Sequence, residues 1–221
     1  MPDLEEEPHI PRPLACDCSL HAYRRSTRER LSRVWSRSSA LILGLLLFAA
    51  PLGAEQVQIP ARLQAALVAK VAAYDTHFAA RASGRALVLI VVAGGKAESE
   101  RFGEEIRAEL GSQPKIGGLS HAEEIVRFSS AAELGRLCKE RHAALVYVAP
   151  ALSSEVSQIA SALSGIDVLS VAALPGDVEQ RLVLGFARES GRPKLLVNLE
   201  QARRQNVAFN PDLLRLVRVV P

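Results

Sequence analysis

The stretch Ala86-Leu87-Val88-Leu89-Ile90-Val91-Val92 is an unbroken apolar run, too short for a helix standing alone and lacking the polar alternation of a half-exposed strand. Such a strand is buried on both faces, the mark of a parallel sheet covered by helices. Ala143 to Val148 (AALVYV) repeats the pattern, and Val168 to Ala172 is a weaker third copy. Upstream, Leu63, Leu67, Val71, Tyr74 and Phe78 recur at three and four residues behind Pro60, a suitable first helical position. They predict one amphipathic helix of about five turns ending near Gly84.

Helical stretches fall between the strands: Ala97 to Leu110, Ala131 to Glu140, and Glu155 to Leu163. Ser130, with Glu133 three residues on, fits a capping box, and a short strand from Ile125 to Phe128 precedes it. This alternation predicts right-handed crossovers and an α/β three-layer sandwich of Rossmann or flavodoxin type, its sheet mostly parallel. The ending departs from that rhythm. Leu182 to Ala187 and Lys194 to Asn198 flank the spacer Arg188 to Pro193, where Gly191 can take the positive φ of a tight turn, so a C-terminal antiparallel hairpin is expected. Asn198 should cap a short helix, with Gln201 at its third position, and Asn210-Pro211 a last helix running from Pro211 to Val217.

The N-terminal part has a different character. Leu41 to Ala54, LILGLLLFAAPLGA, follows Arg28, Arg30, Arg33 and Arg37 and ends in small residues before Glu55, the layout of a secretory signal cut near Ala54. At roughly 1.5 Å per residue, the run would cover only about 21 Å of a hydrocarbon layer roughly 30 Å thick. It reads as an exit signal before a permanent anchor. Met1 to Thr27 carries four prolines and an acidic run with no apolar period, and reads as disordered or never translated; initiation at Val34 would leave a leader of ordinary length. The organisation expected is therefore residues 1–54 as extension plus signal peptide, and residues 55–221 as one periplasmic α/β domain.

From Glu55 onward, 20 Lys and Arg face 18 Asp and Glu, with the two signs interspersed. No basic stripe with interleaved aromatics is present, which argues against nucleic acid as a partner. Cys16 and Cys18 precede the expected cut, leaving Cys138 as the one exported cysteine. Stability must then come from the core, with no intramolecular disulfide. Cys138 falls three or four residues from Leu134 and Leu137, as a buried small hydrophobe would.

Chemistry is sparse. Ala93-Gly94-Gly95-Lys96 leaves the first buried strand and enters a helix, where an α/β sheet offers backbone N–H groups to an anion. Gly94, Gly95 and Lys96 are thus a candidate anion or ligand loop, although the spacing lacks a longer nucleotide-binding pattern and a plain tight turn is the simpler reading. His77, His121 and His142 share no ligand spacing, so no metal site is expected. Asp75 and Glu124 are isolated acids, and Ser170 lacks a hydrolase elbow. No catalytic residues and no cofactor are assigned. Arg203 and Arg204, on the expected late helix, are the first place to look for a partner surface.

Leu169-Ser170-Val171 leading into Pro175-Gly176, then Leu184-Gly185-Phe186, VNLEQARRQNVAF from Val197 and LLRLVRVV from Leu213 together resemble the YfiR-like family of periplasmic proteins. The resemblance implies a small, non-enzymatic α/β regulator that restrains a membrane-bound diguanylate cyclase by binding its exported sensor region. Better-known members carry redox-responsive disulfides; with Cys138 alone, redox sensing is not carried over. Where that family usually has a glycine-rich step, this chain has Asp177-Val178-Glu179-Gln180-Arg181, so the partner need not be the same. Expected partners are the periplasmic domain of a membrane protein, either a diguanylate cyclase or a sensor kinase, and a second copy forming a homodimer. The alternative function is a periplasmic small-molecule binder resembling one lobe of a solute-binding protein, with its ligand near Gly94 and Ala149.

Overall fold

A computed structural model describes residues 58–221. The leader, its cut near Ala54 and the upstream extension lie outside those residues. Among the described residues, no helix is long and apolar enough to cross a membrane.

Seven strands form one sheet: β1 (Arg85–Ala93), β2 (Ser120–Phe128), β3 (Leu145–Val148), β4 (Leu169–Ala172), β5 (Leu184–Glu189), β6 (Arg192–Asn198) and β7 (Arg218–Val220). Their order across the sheet is β2-β1-β3-β4-β5-β6-β7. The first five run parallel, β6 is antiparallel to β5, and β7 is parallel to β6. The expected sandwich with a late hairpin is what forms, and of the two expected types the order 2-1-3-4-5 is the flavodoxin one.

The apolar run that opened the sequence reading is the inner strand β1. Its residues divide between the two faces of the sheet: Ala86, Val88, Ile90 and Val92 enter one core cluster, while Leu89, Val91 and Ala93 enter the other. The first face is covered by α1 (Ala61–Val71), α2 (Phe78–Ala82) and α3 (Ala97–Gly111), together with α7 (Leu199–Arg204) and α8 (Pro211–Leu214). The second carries α4 (Ala131–Arg141), α5 (Val156–Leu163) and α6 (Pro175–Glu179). Ser130 accepts from the Glu133 N–H (3.2 Å), as its capping pattern predicted. Asn198 does the same for Gln201 (2.9 Å), and Asn210 for Asp212 (2.9 Å). Gly185 is required where α6 meets β5, because a Cβ there would overlap the Val178 side chain.

The differences from the sequence reading have tertiary causes. The expected five-turn helix breaks into α1, a 3₁₀ turn (Ala72–Tyr74) and α2, because Asp75 is extended (φ −81°, ψ 110°) and bridges to Phe209. Helix α1 is also rotated from the expected stripe: Ala61, Gln64, Ala65, Val68 and Val71 are buried, whereas Leu63 and Tyr74 are each 38% exposed. Strand β2 begins at Ser120, since pairing with β1 runs through Phe128 despite the polar His121, Glu123 and Glu124. Such charges suit an edge strand. The last helix stops at Leu214, and Arg218–Val220 pairs with Leu196–Asn198 as a strand. The hairpin turns at Ser190 (φ 50°) and Gly191 (φ 77°), two consecutive positive φ values as in a type I′ turn. Pro193 lies opposite Arg188 on β6, before the stretch that β7 covers, so its missing N–H breaks no ladder.

Candidate functional site

In a doubly wound sheet, ligands bind outside the carboxyl ends of the strands, so the loops at that edge come first. The chain leaves β1 at Ala93, turns with the Lys96 N–H donating to the Ala93 carbonyl (3.2 Å), and starts α3. Ser99 is buried beneath the turn and accepts from the Ala93 N–H (2.9 Å). The structure thus brings Gly94, Gly95 and Lys96 together on one loop, where the Gly95 and Lys96 backbone donors already have acceptors. The Gly95 N–H points to Glu100 (3.4 Å), whose carboxylate also accepts from Arg127 (3.2 Å). The Lys96 ammonium donates to the Ala151 carbonyl (3.3 Å), which spans the crevice between the β1 and β3 exits. An anion that takes the Gly95 N–H must displace Glu100.

A second opening lies further along the same edge. Between α6, the projecting β5–β6 hairpin and the residues entering α1 is a cleft of about 520 Å³. Ile59, Ala173 and Phe186, all buried, line its interior, and Arg188 and Arg218 stand on its polar side. Arg218 is tied to Glu189 (2.8 Å) and Glu179 (3.9 Å). Next to this cleft in sequence, Asp177 on α6 is 1% exposed, and its Oδ2 is buried without a hydrogen-bond partner among the described residues. Burial pushes its carboxyl above the ordinary value, partly offset by the Ser153 hydroxyl.

The opposite edge is clamped by polar contacts beside a smaller opening of about 390 Å³. Arg81, buried on α2, donates to Asp75 (2.6 Å), Asp167 (2.6 Å) and the Asn206 carbonyl (3.0 Å), and its guanidinium lies 6.0 Å from the Phe78 ring centre. Asp75 accepts in addition from the N–H groups of His77 (3.1 Å) and Ala208 (3.1 Å). Asp75, read from sequence as an isolated acid, is therefore a structural anchor. His77 donates from Nδ1 to the Asn206 carbonyl (2.9 Å). Sequence reasoning missed this cluster because Arg81, Asp167 and Asn206 are distant in the chain. Only the helix break at Asp75 could have signalled it.

The remaining candidates also serve the scaffold. Ser170 accepts from the Val183 N–H (3.1 Å) and donates to Gln205 (2.8 Å) inside the core. Cys138 is buried, and desolvation pushes its thiol up to about 12, away from the reactive thiolate. Glu124 pairs with Arg141 on the surface. His121 sits between Glu123 and the Gln113 carbonyl, and His142 takes the left-handed cap of α4 (φ 52°). Among the described residues, no group of three metal-ligating side chains assembles. On α7, Arg204 pairs with Glu200, while Arg203 is exposed.

A family model described as YfiR/HmsC-like matches residues 61–218. No curated protein matches the chain. Among solved structures, the ABC domain in complex with L-Trp from Streptococcus pneumoniae has a TM-score of 0.54 at 12% identity, covering 73% of this chain and 62% of that one. A conserved domain protein from Vibrio cholerae O1 biovar El Tor has a TM-score of 0.49 at 10% identity, covering 73% and 60%. A ligand-free, open substrate binding protein with adhesive properties from Clostridium difficile has a TM-score of 0.46 at 10% identity, covering 61% and 54%. The chain thus spans less than two thirds of each of these three structures, and at such identities the likeness is one of fold.

Proposed function

We infer the function from one premise: the chain belongs to the YfiR/HmsC-like family. That membership supports a periplasmic regulatory role. The protein is an exported, non-enzymatic regulator that binds the periplasmic part of a membrane signalling protein, a diguanylate cyclase before a sensor kinase, and restrains its output.

The match across residues 61–218 carries this reading. It is supported by the use the fold makes of its polar residues: Asp75, Ser170 and Glu124 are each bonded to the scaffold. Arg203, exposed on α7, is the first contact proposed for the partner, with Arg204 beside it.

The test is cross-linking of the tagged full chain in cell envelopes, followed by identification of the captured membrane protein and measurement of cyclic-di-GMP after deletion of the gene. A captured cyclase, a rise in cyclic-di-GMP on deletion, and loss of capture in Arg203→Glu/Arg204→Glu are expected. Recovery of the unprocessed chain from the cytosol, or deletion with no change in any membrane signalling output, would refute the reading.

A further inference from the structure

We propose that the cleft between α6 and the β5–β6 hairpin binds a small molecule consisting of an apolar body with one anionic group. This site is separate from the Gly94-Gly95-Lys96 loop and from the Arg203 surface, and it holds whether or not the regulator reading does.

Four observations carry it. The cleft, at about 520 Å³, has the capacity of a small-ligand pocket. It opens at the carboxyl ends of β4 and β5, where this sheet architecture places ligands. Its interior is apolar, with Ile59 at 4%, Ala173 at 2% and Phe186 at 2% exposure, and Leu174 and Pro175 half-buried beside them.

The polar groups supply the anion preference. Arg218 already has two carboxylate partners, while Arg188, exposed on the same wall, has no ion-pair partner among the described residues. Gln58 also lines the cleft, and its amide nitrogen is buried without an acceptor among the described residues. A buried donor in that state is stabilised by any ligand that brings an acceptor. With Arg218 held by Glu179 and Glu189, Arg188 is the lining cation left for a ligand among the described residues, which favours a single anionic group. Carboxylate and phosphate monoester both fit that chemistry.

Gly176 provides the control. It lines the cleft, and a Cβ there meets nothing within 4 Å. A large side chain can therefore enter the space without moving the backbone.

The test is titration of the full chain with 3-phenylpropanoate, phenyl phosphate, neutral 3-phenylpropanol and inorganic phosphate, following the backbone amide resonances of Gly176 and Gly191. Saturable shifts with the two aromatic anions are expected, and the tighter of the two identifies a carboxylate or a phosphate site. Arg188→Glu should weaken both by about tenfold or more, as loss of a charge-assisted contact does. Gly176→Phe should abolish them with the thermal midpoint retained. Absence of saturation with either anion, equal binding of the neutral alcohol or of inorganic phosphate, or unchanged binding in both variants would overturn the proposal.

Discussion

The two edges of the sheet are built on opposite plans. At the edge where β1 and β4 begin, segments far apart in sequence are clamped by one buried guanidinium, with Arg81 joining Asp75, Asp167 and the Asn206 carbonyl. At the edge where β1, β3 and β4 end, the loops are joined by single exposed contacts such as Lys96 to Ala151, and a cleft remains open. The contrast follows from the chain path. Residues after α7 return to the first edge and bridge Asp75 to Phe209, whereas at the other edge each loop leads to a helix on one face or the other, and the helices diverge. Buried charge pairing is thus concentrated at one end, and the cleft of about 520 Å³ lies at the other.

Substitutions can break or sharpen that contrast. The largest effect belongs to Arg81→Ala, which strands a carboxylate whose side chain is fully buried. Removing one partner of a buried pair costs about 3–5 kcal/mol, and urea denaturation should show it as a lower midpoint with an unchanged slope. Ser170→Ala at the same edge leaves the Val183 N–H without its acceptor, for a loss of about 1–3 kcal/mol in the same measurement.

The open edge should respond in the other direction. Asp177 has its folded-state pKa raised by burial, so its contribution to stability is fully present below the unfolded carboxylate value of about 3.9 and is lost as pH rises through the folded value. Asp177→Asn should therefore match the parent in acid and exceed it at neutral pH by about 1 kcal/mol, a rise of roughly 2–4 °C in thermal midpoint. A gain that is independent of pH would contradict this assignment. The smallest effect is expected from Gly176→Ala, where the added methyl has open space and the helix gains about 0.5–1 kcal/mol by propensity. Calorimetry on the two variants together should find their gains additive only if the sites do not share the α6 conformation.

Much of the fold was legible because it rests on local signals. The apolar run of β1, the Ser130 and Asn198 caps and the positive φ at Gly191 each depend on a few neighbouring residues, and the structure contains all of them. What was missed depends on distant partners. Ser120 to Glu124 is too polar to read as a strand, yet it pairs along β1. The last helix was expected to reach Val217, yet it stops at Leu214 and Arg218–Val220 adds to β6. The site shows the same division. Gly94, Gly95 and Lys96 were visible as a strand-to-helix turn, but the cleft has no motif, because Gln58, Gly176 and Arg188 come from three separate segments.

Sequence alone determined the layer arrangement: an apolar run of that length must be covered on both faces, and alternating helical periods supply the cover. Tertiary structure alone decided the break at Asp75, the seventh strand, and which edge is clamped by a buried guanidinium. Those outcomes depend on hydrogen bonds and charge pairs between residues dozens of positions apart, and their free energies exist only once the chain has brought them together.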